Sequence, residues 1–361
     1  MNPATAPRAA RDPERLLVID PQSGTFADFG IFDLPAFFQA GDALVLNDAA
    51  TLPASLRAAE DLELRLMSEF EDGTWLALSF GRGDFRMPTE ARGAPARVAV
   101  GQELQFGHRL SARVVAIDAE SPRLLRIAFQ QQGDGLWQAL YRAATPVQYA
   151  YLREPLRLWD VQNGFAARPW AVELPSAGKA LRFETLFRIA QRGVQLAYVT
   201  HAAGLSSTGD TALDARLPVG ERYDLSEENA QRLRTAKSRG GRIVAVGTSV
   251  TRALEAACGS GGLRAGTERT ELILGPGSSL HCCDALLTGL HEPGTSHFSL
   301  LEAFAPRALL EAAFQHARRL GYLQHEFGDS CLIFAGALRA LGRMGEMREL
   351  AASALGWRQA G

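Results

Sequence analysis

The sequence predicts an α/β (α+β) protein whose large domain carries an inserted, small antiparallel β domain, either a barrel or a sandwich. Three observations predict this class. Core-like strands precede residue 60, short alternating β-segments fill the stretch from about residue 60 to 139, and strand-like and helix-like segments alternate after Pro146. We therefore predict a discontinuous large α/β domain of residues 1–59 and 140–361, and an inserted antiparallel β domain, a barrel or a sandwich, of residues 60–139.

The first part of the large domain is predicted from two apolar runs. RLLVID (residues 15–20) and DALVLND (residues 42–48) have the composition of core strands, with a turn at residues 21–24 and a helical or looped segment between them. The inserted domain is predicted from short β-segments that Gly, Asp or Pro turns separate. These segments are LELRLMSEF, TWLALSF, ARVAVGQELQFG, LSARVVAID and RLLRIAF. LWQALYRAA, which follows them, is predicted to be helical.

The second part of the large domain is predicted from alternating periodicities. The apolar spacing predicts two helices: an amphipathic helix at LRFETLFRIAQRG and a capped helix at SEENAQRLRTAKSRGG. It also predicts two strands, VQLAYVTH and RIVAVGTS. One further strand is predicted at TELILGPG. Three further helices are predicted: HFSLLEAFA, RALLEAAFQHARRLG and LIFAGALRALGRMGEMRELAASALG.

Length and composition bound the class of protein. The 361 residues suffice for two domains, and 47% hydrophobic with 22% charged residues is ordinary for a soluble globular protein, which excludes a fibrous or disordered chain. The formal net charge of -2 provides no basic field over the whole protein, so RNA binding would depend on a local patch. The four cysteines form no C-x-x-C pair, and the sequence has no segment like a signal peptide, which predicts a cytoplasmic protein. No run of about 18 apolar residues is present, so no membrane segment is predicted.

The stretch VAVGTSVTRALEAA (residues 244–257) joins a short apolar strand to a helix through a Gly-Thr-Ser turn. Thr248 or Ser249 is expected to cap this helix. The first backbone N–H groups of such a helix, together with the positive end of its dipole, can bind a carboxylate or a phosphate. The turn is thus either a plain helix cap or an anion site.

Five glycine-containing turns suggest a ligand site: LPSAGK, THAAGLSSTG, VGTS, GPGSS and TGLHEPGTS. In an open α/β sheet such turns can meet at the carboxyl ends of the strands, where small ligands bind. The sequence contains no P-loop, zinc-protease motif or nucleophile elbow. No metal site is predicted either, because the spacing of residues 281–284 (HCCD), His291 and His297 does not suit one tetrahedral ion.

In their order, these turns resemble those of the S-adenosylmethionine:tRNA ribosyltransferase-isomerases of queuosine biosynthesis, the QueA family. AVGTSVTRALEAA is similar to the family's Ala-Val-Gly-Thr-Thr-Ser-x-Arg-x-Leu-Glu-Ser. DALLTGLHEPGTS resembles Asp-x-Leu-Ile-Thr-Asn-Phe-His-Leu-Pro-x-Ser, and EFGDSCLI resembles Phe-Ser-Tyr-Gly-Asp-Ala-Met-Leu-Ile. The opening strands and the stretch VQNGFAARPWAVELPSAG also resemble family segments, so the similarity runs along nearly the whole chain.

The resemblance implies a fold, a reaction and its partners. The implied fold is a large α/β domain with a β-barrel insertion. The implied reaction transfers the ribosyl moiety of S-adenosylmethionine to a 7-aminomethyl-7-deazaguanine base in tRNA, isomerises it to an epoxycyclopentane and releases adenine and methionine. S-adenosylmethionine is then the co-substrate, tRNA is the expected partner, no metal is needed, and the chain is expected to be a monomer.

The resemblance also implies site residues. Catalytic roles are expected of His201, Glu221, His291 and Asp329. The alternative for His291 is a hydrogen-bonded surface group, and the alternative for Asp329 is a helix cap. Co-substrate binding is expected of nine residues: Ser176, Gly178, Gly247, Thr248, Ser249, Arg252, Pro276, Gly277 and Thr288. The alternative for Arg252 is an ordinary surface pair with Glu255 on the same helix.

The chain also departs from the family pattern. The family's Glu-His-x-Met-His-x-Glu is here ARLPVGERYDL, which keeps only Glu221, and Gly289 replaces the Asn that precedes the family histidine. Such changes remove proton carriers and hydrogen-bond donors. Three functions therefore stay open: the family reaction on tRNA, an S-adenosylmethionine-dependent reaction on a different small acceptor, and a catalytically silent binding protein.

Overall fold

Two β-sheets organise the computed structural model of the chain, which describes residues 1–8, 14–217, 219–259 and 261–335. The strands are β1 (Asn2–Pro3), β2 (Arg15–Asp20), β3 (Thr25–Gly30), β4 (Ala43–Asn47), β5 (Ala49–Thr51), β6 (Ser55–Ala59), β7 (Leu62–Glu69), β8 (Trp75–Phe80), β9 (Glu103–Gln105), β10 (Ser111–Ile117), β11 (Leu124–Phe129), β12 (Arg168–Ala171), β13 (Gln195–His201), β14 (Glu221–Leu225), β15 (Ile243–Val246), β16 (Cys258–Gly259), β17 (Gly262–Leu263), β18 (Gly266–Thr270), β19 (Ala285–Gly289), β20 (Leu323–Gln324) and β21 (Ser330–Phe334).

The helices are α1 (Gly133–Ala143), α2 (Phe183–Gln191), α3 (Thr211–Asp214), α4 (Glu227–Ser238), α5 (Thr248–Ala257), α6 (Ser296–Leu301) and α7 (Arg307–Arg319). Short 3₁₀ helices lie at Ile31–Phe37, Thr89–Ala91, Leu158–Val161 and Ser176–Gly178. Within the described ranges, no helix combines the length and the apolar character that a membrane crossing requires.

The larger sheet contains nine strands in the order β18-β14-β13-β4-β15-β19-β21-β2-β3. Its centre is parallel, because β4 pairs in parallel with β13 and β15, and β15 pairs in parallel with β19. All residues of β4 and β15 are buried, which is typical of strands covered on both faces. The carboxyl ends of these four parallel strands meet at one edge of the sheet, where ligands of open α/β sheets bind.

Helices cover both faces of this sheet. On one face, α4, α5, α6 and α7 enclose a core that includes Val45 and Ala245. On the other face, α2 and the 3₁₀ helix at Ile31–Phe37 cover Leu44 and Val246. Neighbouring residues of one strand enter different cores because side chains alternate along a strand.

The second sheet is antiparallel and has six strands in the order β6-β7-β8-β11-β10-β9. Its inward side chains form a separate hydrophobic core together with Leu136 and Leu140 of α1. The predicted fold class, an α/β part with an inserted antiparallel barrel, is confirmed. The first strand of this sheet, β6, lies before the predicted boundary at residue 60, and the division into two domains stays a prediction.

Two predicted elements are wrong. TELILGPG is not a strand, because β18 ends at Thr270 and the following Gly275 starts a turn in which its N–H donates to Ser278 Oγ at 3.0 Å. The last predicted helix begins instead as strand β21, which lies inside the nine-stranded sheet, and its remainder after Ala335 lies outside the described residues. A short apolar run fits a buried strand and a buried helix equally well, so periodicity did not separate them.

Candidate active site

A cavity of about 360 Å³ opens at the carboxyl edge of the nine-stranded sheet. Its wall includes Gly289 at the end of β19, residues 325–330 and the segment that starts at Ser176. This volume is within the range of sites that bind small molecules. Two of the five glycine-containing turns, LPSAGK and TGLHEPGTS, contribute residues to this wall, and the other three do not.

Two glutamates in the cavity wall have unusual pKa values. Burial raises the pKa of Glu14 to about 7, against the effect of a 2.9 Å hydrogen bond that the Ser330 hydroxyl donates to it. Burial also raises the pKa of Glu326 to about 7, although the hydrogen bond that the Tyr151 hydroxyl donates to Glu326 acts to lower this pKa. Carboxyl groups with a pKa near 7 can both give and take protons at neutral pH, as general acid–base catalysis requires.

Stacked aromatic rings border Glu326. The rings of Tyr151 and His325 are parallel within 8° with centroids 4.1 Å apart, and the Tyr149 ring follows 6.2 Å from Tyr151. The Tyr149 hydroxyl donates to Glu173, and burial raises the pKa of that carboxyl. Of these rings His325 lines the cavity, and the two tyrosines lie behind it, each hydrogen-bonded to a carboxyl whose pKa is raised by burial.

Helix α5 begins beside the cavity without a side-chain cap. Gly247 occupies the N-cap position with φ of 97°, a conformation that favours glycine, and Thr248 and Ser249 lie within the first turn. The prediction that Thr248 or Ser249 caps the helix is therefore wrong, since the cap position precedes both. A Cβ atom at Gly247 would lie 3.4 Å from Ala177 of the cavity wall. The uncapped N–H groups of the first turn are available for an anion next to the cavity.

One turn into α5, Arg252 belongs to a buried charge cluster. It donates to Glu221 of β14, whose other carboxylate oxygen accepts the Gly204 N–H at 2.9 Å. His201 is fully buried at the end of β13, and its Nε2 lies 3.3 Å from a Glu221 oxygen. Burial opposes ionisation of Glu221, but the adjacent Arg252 and His201 prevail and hold its pKa well below the usual range. Glu221 is therefore a permanent negative charge.

This charge cluster retains unused hydrogen-bonding groups. Within the described part of the chain, Arg252 Nε and both ring nitrogens of His201 are buried without a hydrogen-bond partner. Buried polar atoms of native proteins are rarely left without a partner, which points to water or a ligand at these atoms.

Two histidines after β19 are held in the neutral form. The rings of His291 and His297 stack with centroids 5.0 Å apart, and the Thr288 hydroxyl shares a 2.9 Å hydrogen bond with His291 Nε2. Burial lowers the pKa of His291 well below its usual value, and burial with the nearby Arg252 lowers the pKa of His297 to about 4. Neutral imidazoles can accept hydrogen bonds or protons but supply no positive charge at neutral pH.

Asp329 lines the cavity but is engaged by the protein. Its two oxygens accept the backbone N–H groups of Arg15 at 2.9 Å and Leu323 at 2.8 Å, and Arg8 adds an ion pair at 2.7 Å. The alternative role as a helix cap is wrong, because strand β21 follows Asp329. Asp329 therefore joins three segments of the cavity wall.

The alternative of a surface pair between Arg252 and Glu255 is also wrong. Glu255 is buried and accepts three consecutive backbone N–H groups, those of residues 281–283, at 2.7 to 3.0 Å. These contacts attach the HCCD segment to α5. In the described ranges, no group of three His, Cys, Asp or Glu side chains is arranged to hold a metal ion, and all four cysteines are free thiols.

Of the predicted site residues, Ser176 and Asp329 line the cavity, and Gly247 lies close to Ala177 of its wall. The others lie in neighbouring elements without lining it: Gly178 in the 3₁₀ helix that starts at Ser176, Thr248, Ser249 and Arg252 in α5, His201 and Glu221 in the charge cluster, and Thr288 and His291 at the end of β19. Gly178 packs closely, since a Cβ atom there would lie 2.7 Å from Asn163 Nδ2. Pro276 and Gly277 belong to the turn after β18 and do not line the cavity.

The sequence did not identify the two cavity glutamates or the aromatic stack. One signal was present, because Glu326 begins the EFGDSCLI stretch that carries Asp329. Glu14 gave no comparable signal, since its contact with Ser330 joins distant parts of the chain.

Comparisons with known proteins agree with the sequence resemblance. A family model described as "Queuosine biosynthesis protein" matches residues 2–333. Relatives from Anaeromyxobacter sp. (strain K) and Gloeobacter violaceus, both named S-adenosylmethionine:tRNA ribosyltransferase-isomerase, are each 34% identical. The matches cover 91% and 92% of this chain, and 95% and 93% of theirs. The fold is similar to that in the crystal structure of an S-adenosylmethionine tRNA ribosyltransferase from Thermotoga maritima, with a TM-score of 0.51 and 24% sequence identity. The match covers 91% of this chain and 95% of the Thermotoga chain.

Proposed function

Because the chain belongs to the queuosine biosynthesis protein family, we propose that it is an S-adenosylmethionine-dependent ribosyltransferase-isomerase that acts on tRNA. It transfers the ribosyl moiety of S-adenosylmethionine to a 7-aminomethyl-7-deazaguanine base and isomerises it, with release of adenine and methionine. S-adenosylmethionine is the co-substrate, and the family reaction needs no metal.

The cavity that contains Glu14 and Glu326 is the observation that carries this function. The reaction requires a base that removes a proton from the carbon next to the sulfonium, and an acid that assists the departure of adenine. With pKa values of about 7, both carboxyls populate the ionised and the protonated form at neutral pH. Two such groups in one cavity can supply the base and the acid in the same turnover.

The first turn of α5 suits the carboxylate of the methionine moiety. Its uncapped N–H groups and the hydroxyls of Thr248 and Ser249 provide donors, and the helix dipole favours a negative charge there. Arg252 adds a cation one turn further along the same helix. Its charge is shared with Glu221, so the site can bind the zwitterionic methionine end without a large excess of positive charge.

The neutral histidine next to β19 suits the adenine moiety. His291 is positioned by Thr288 and has no positive charge at neutral pH, so it can exchange hydrogen bonds with a ring nitrogen as the base leaves. Ser176 lines the cavity, and the next residue, Ala177, approaches Gly247 at the α5 turn. Asp329 holds the cavity wall in place rather than reacting with the substrate.

The proposed reaction is tested by incubating the purified protein with S-adenosylmethionine and following adenine and methionine by chromatography. Three incubations are compared: no tRNA, tRNA with the unmodified base, and tRNA bearing 7-aminomethyl-7-deazaguanine. Release only with the last supports the proposal. Release with a small acceptor and never with tRNA would show a changed substrate, and no binding of S-adenosylmethionine by calorimetry would refute the proposal.

We further propose that the protein acts in the cytoplasm as a monomer. A tRNA-modifying reaction requires access to tRNA, and the four free thiols are compatible with a reducing compartment. Light scattering measures the mass in solution, and a mass of twice 39.0 kDa would refute the monomer.

A further inference from the structure

We call three exposed aromatic side chains on neighbouring segments the aromatic patch: Trp159, Phe183 and Phe187. Their exposed fractions are 65%, 70% and 62%, and within the described residues only Tyr141 is another exposed aromatic side chain. A Cβ atom at Gly164, shortly after the 3₁₀ helix that carries Trp159, would lie 3.4 Å from the Phe183 ring. Phe183 and Phe187 are four residues apart on α2 and therefore lie on the same face of that helix. Large rings are normally buried, since burial of one contributes about 1.5–3 kcal/mol, so an exposed group of three points to a partner.

The aromatic patch is connected along the chain to the wall of the cavity. Phe183 directly follows Arg182, which lines the cavity together with Lys179. Trp159 lies in the 3₁₀ helix Leu158–Val161, and the next residue, Gln162, accepts a 2.8 Å hydrogen bond from Lys179 Nζ through its carbonyl oxygen. The segment that carries Trp159 is thus attached to the segment that leads from the cavity into α2.

The charge around the aromatic patch differs from that of the whole chain. In residues 157–165 and 179–192, five basic residues stand against two acidic residues, whereas the whole chain has 38 basic and 40 acidic residues. The Arg157 guanidinium lies 4.7 Å from the centre of the Trp159 ring. Exposed aromatic rings interleaved with cations are the features with which proteins bind single-stranded nucleic acid, through base stacking and phosphate contacts.

We propose that the aromatic patch stacks on the unpaired nucleotides next to the base that enters the cavity. The inference rests on the proposed function, because it takes tRNA as the source of that base. A base can reach an enclosed cavity only after it leaves its stack, and its neighbours then lose a stacking partner. The rings of the aromatic patch replace that partner, and the cations nearby contact the backbone phosphates.

The test replaces rings while keeping apolar bulk. The double variant Phe183→Leu/Phe187→Leu removes stacking, and Phe183→Tyr/Phe187→Tyr retains it. Ile273→Ala is the matched control, because Ile273 is 69% exposed and lies outside the aromatic patch. Two quantities are measured: the KM for tRNA and for S-adenosylmethionine in adenine release, and the Kd of a synthetic RNA hairpin with an unpaired loop.

We expect the leucine variant to raise the KM for tRNA and the Kd of the hairpin about tenfold, with the KM for S-adenosylmethionine unchanged. The tyrosine variant and Ile273→Ala should stay within about twofold of the wild type. Unchanged tRNA and hairpin affinities in the leucine variant would overturn the inference. So would light scattering that shows a wild-type dimer dissociated by the leucine substitutions, since a second copy of the chain would then cover the aromatic patch.

The two proposals fail separately. If the wild type releases no adenine with any tRNA, the proposed reaction is wrong, while the hairpin Kd of the leucine variant still decides the role of the aromatic patch. If the wild type is active and the leucine variant has the same KM for tRNA, the reaction stands and the aromatic patch is not a stacking surface.

Discussion

Replacement of Glu326 by glutamine should stabilise the protein above pH 7 and lower its activity. Glutamine has nearly the same volume and keeps an oxygen that can accept the Tyr151 hydroxyl, so the substitution removes mainly the ionisable group. Burial raises the pKa of Glu326 from 4.5 to about 7, so the folded protein takes up a proton between these pH values. The free energy of unfolding of the wild type therefore falls as the pH rises through this window.

The size of the effect follows from the shift in pKa. Each pKa unit corresponds to about 1.4 kcal/mol, so a rise from 4.5 to about 7 destabilises the wild type by about 3 kcal/mol at pH 8 and by less than about 1 kcal/mol at pH 5. The glutamine variant has no charge to bury. We expect it to be more stable than the wild type by about 2–3 kcal/mol at pH 8, with most of this difference absent at pH 5.

Urea unfolding followed by circular dichroism at pH 5 and pH 8 measures this difference. Adenine release in the presence of the modified tRNA measures activity, which should fall at least about 100-fold if Glu326 transfers a proton. Glu184→Gln, an exposed carboxyl on α2, is the matched control and should change stability by less than about 0.5 kcal/mol at either pH. An equal stability difference at both pH values, or a Glu326→Gln variant with full activity, would refute the reasoning.

Three further predictions test a buried ion pair, a backbone anchor and a helix cap. Arg252→Met leaves the buried Glu221 carboxylate without its main counter-charge and should lower the free energy of unfolding in urea by about 3–5 kcal/mol. Adding Glu221→Gln should restore most of this stability. A double variant as unstable as the single one would contradict the pairing. Glu255→Ala frees the N–H groups of residues 281–283 and should speed their hydrogen exchange, so unchanged protection would argue against this anchor. Ser226→Ala removes the side-chain cap of α4 and should lower stability by about 1 kcal/mol in thermal unfolding, whereas an unchanged midpoint would show that the cap contributes nothing.

Local patterns in the sequence were enough to predict four of the nine strands of the large sheet, β2, β4, β13 and β15. VQLAYVTH and RIVAVGTS form β13 and β15, and SEENAQRLRTAKSRGG forms α4 with Ser226 as its cap, as expected from a polar residue before a helical repeat. These elements depend on hydrophobic periodicity and capping, which are properties of neighbouring residues. For the same reason the turn at Gly247 could be located, although the exact cap position could not.

The cavity glutamates could not be predicted, because their properties arise from residues far away in the chain. Tyr151 and Glu326 are 175 positions apart, and Glu14 and Ser330 are 316 positions apart. Neither contact leaves a local pattern, and the degree of burial that raises each pKa is a property of the folded chain. The resemblance located the EFGDSCLI stretch but drew attention to Asp329, whose two oxygens are occupied by backbone N–H groups.

The glutamates at this edge of the sheet are divided by their surroundings into two chemical types. Glu221 is as buried as a core residue, yet Arg252 and His201 keep it ionised, so it can orient charged neighbours but cannot exchange a proton near pH 7. Glu14 and Glu326 lack a compensation of that strength, and burial leaves their pKa values at about 7. When the surroundings of several carboxyl groups give them different pKa values in this way, the groups can take different roles in acid–base catalysis. In the proposed reaction, proton transfer therefore falls to the two cavity glutamates, and Glu221 holds Arg252 in place beside the first turn of α5.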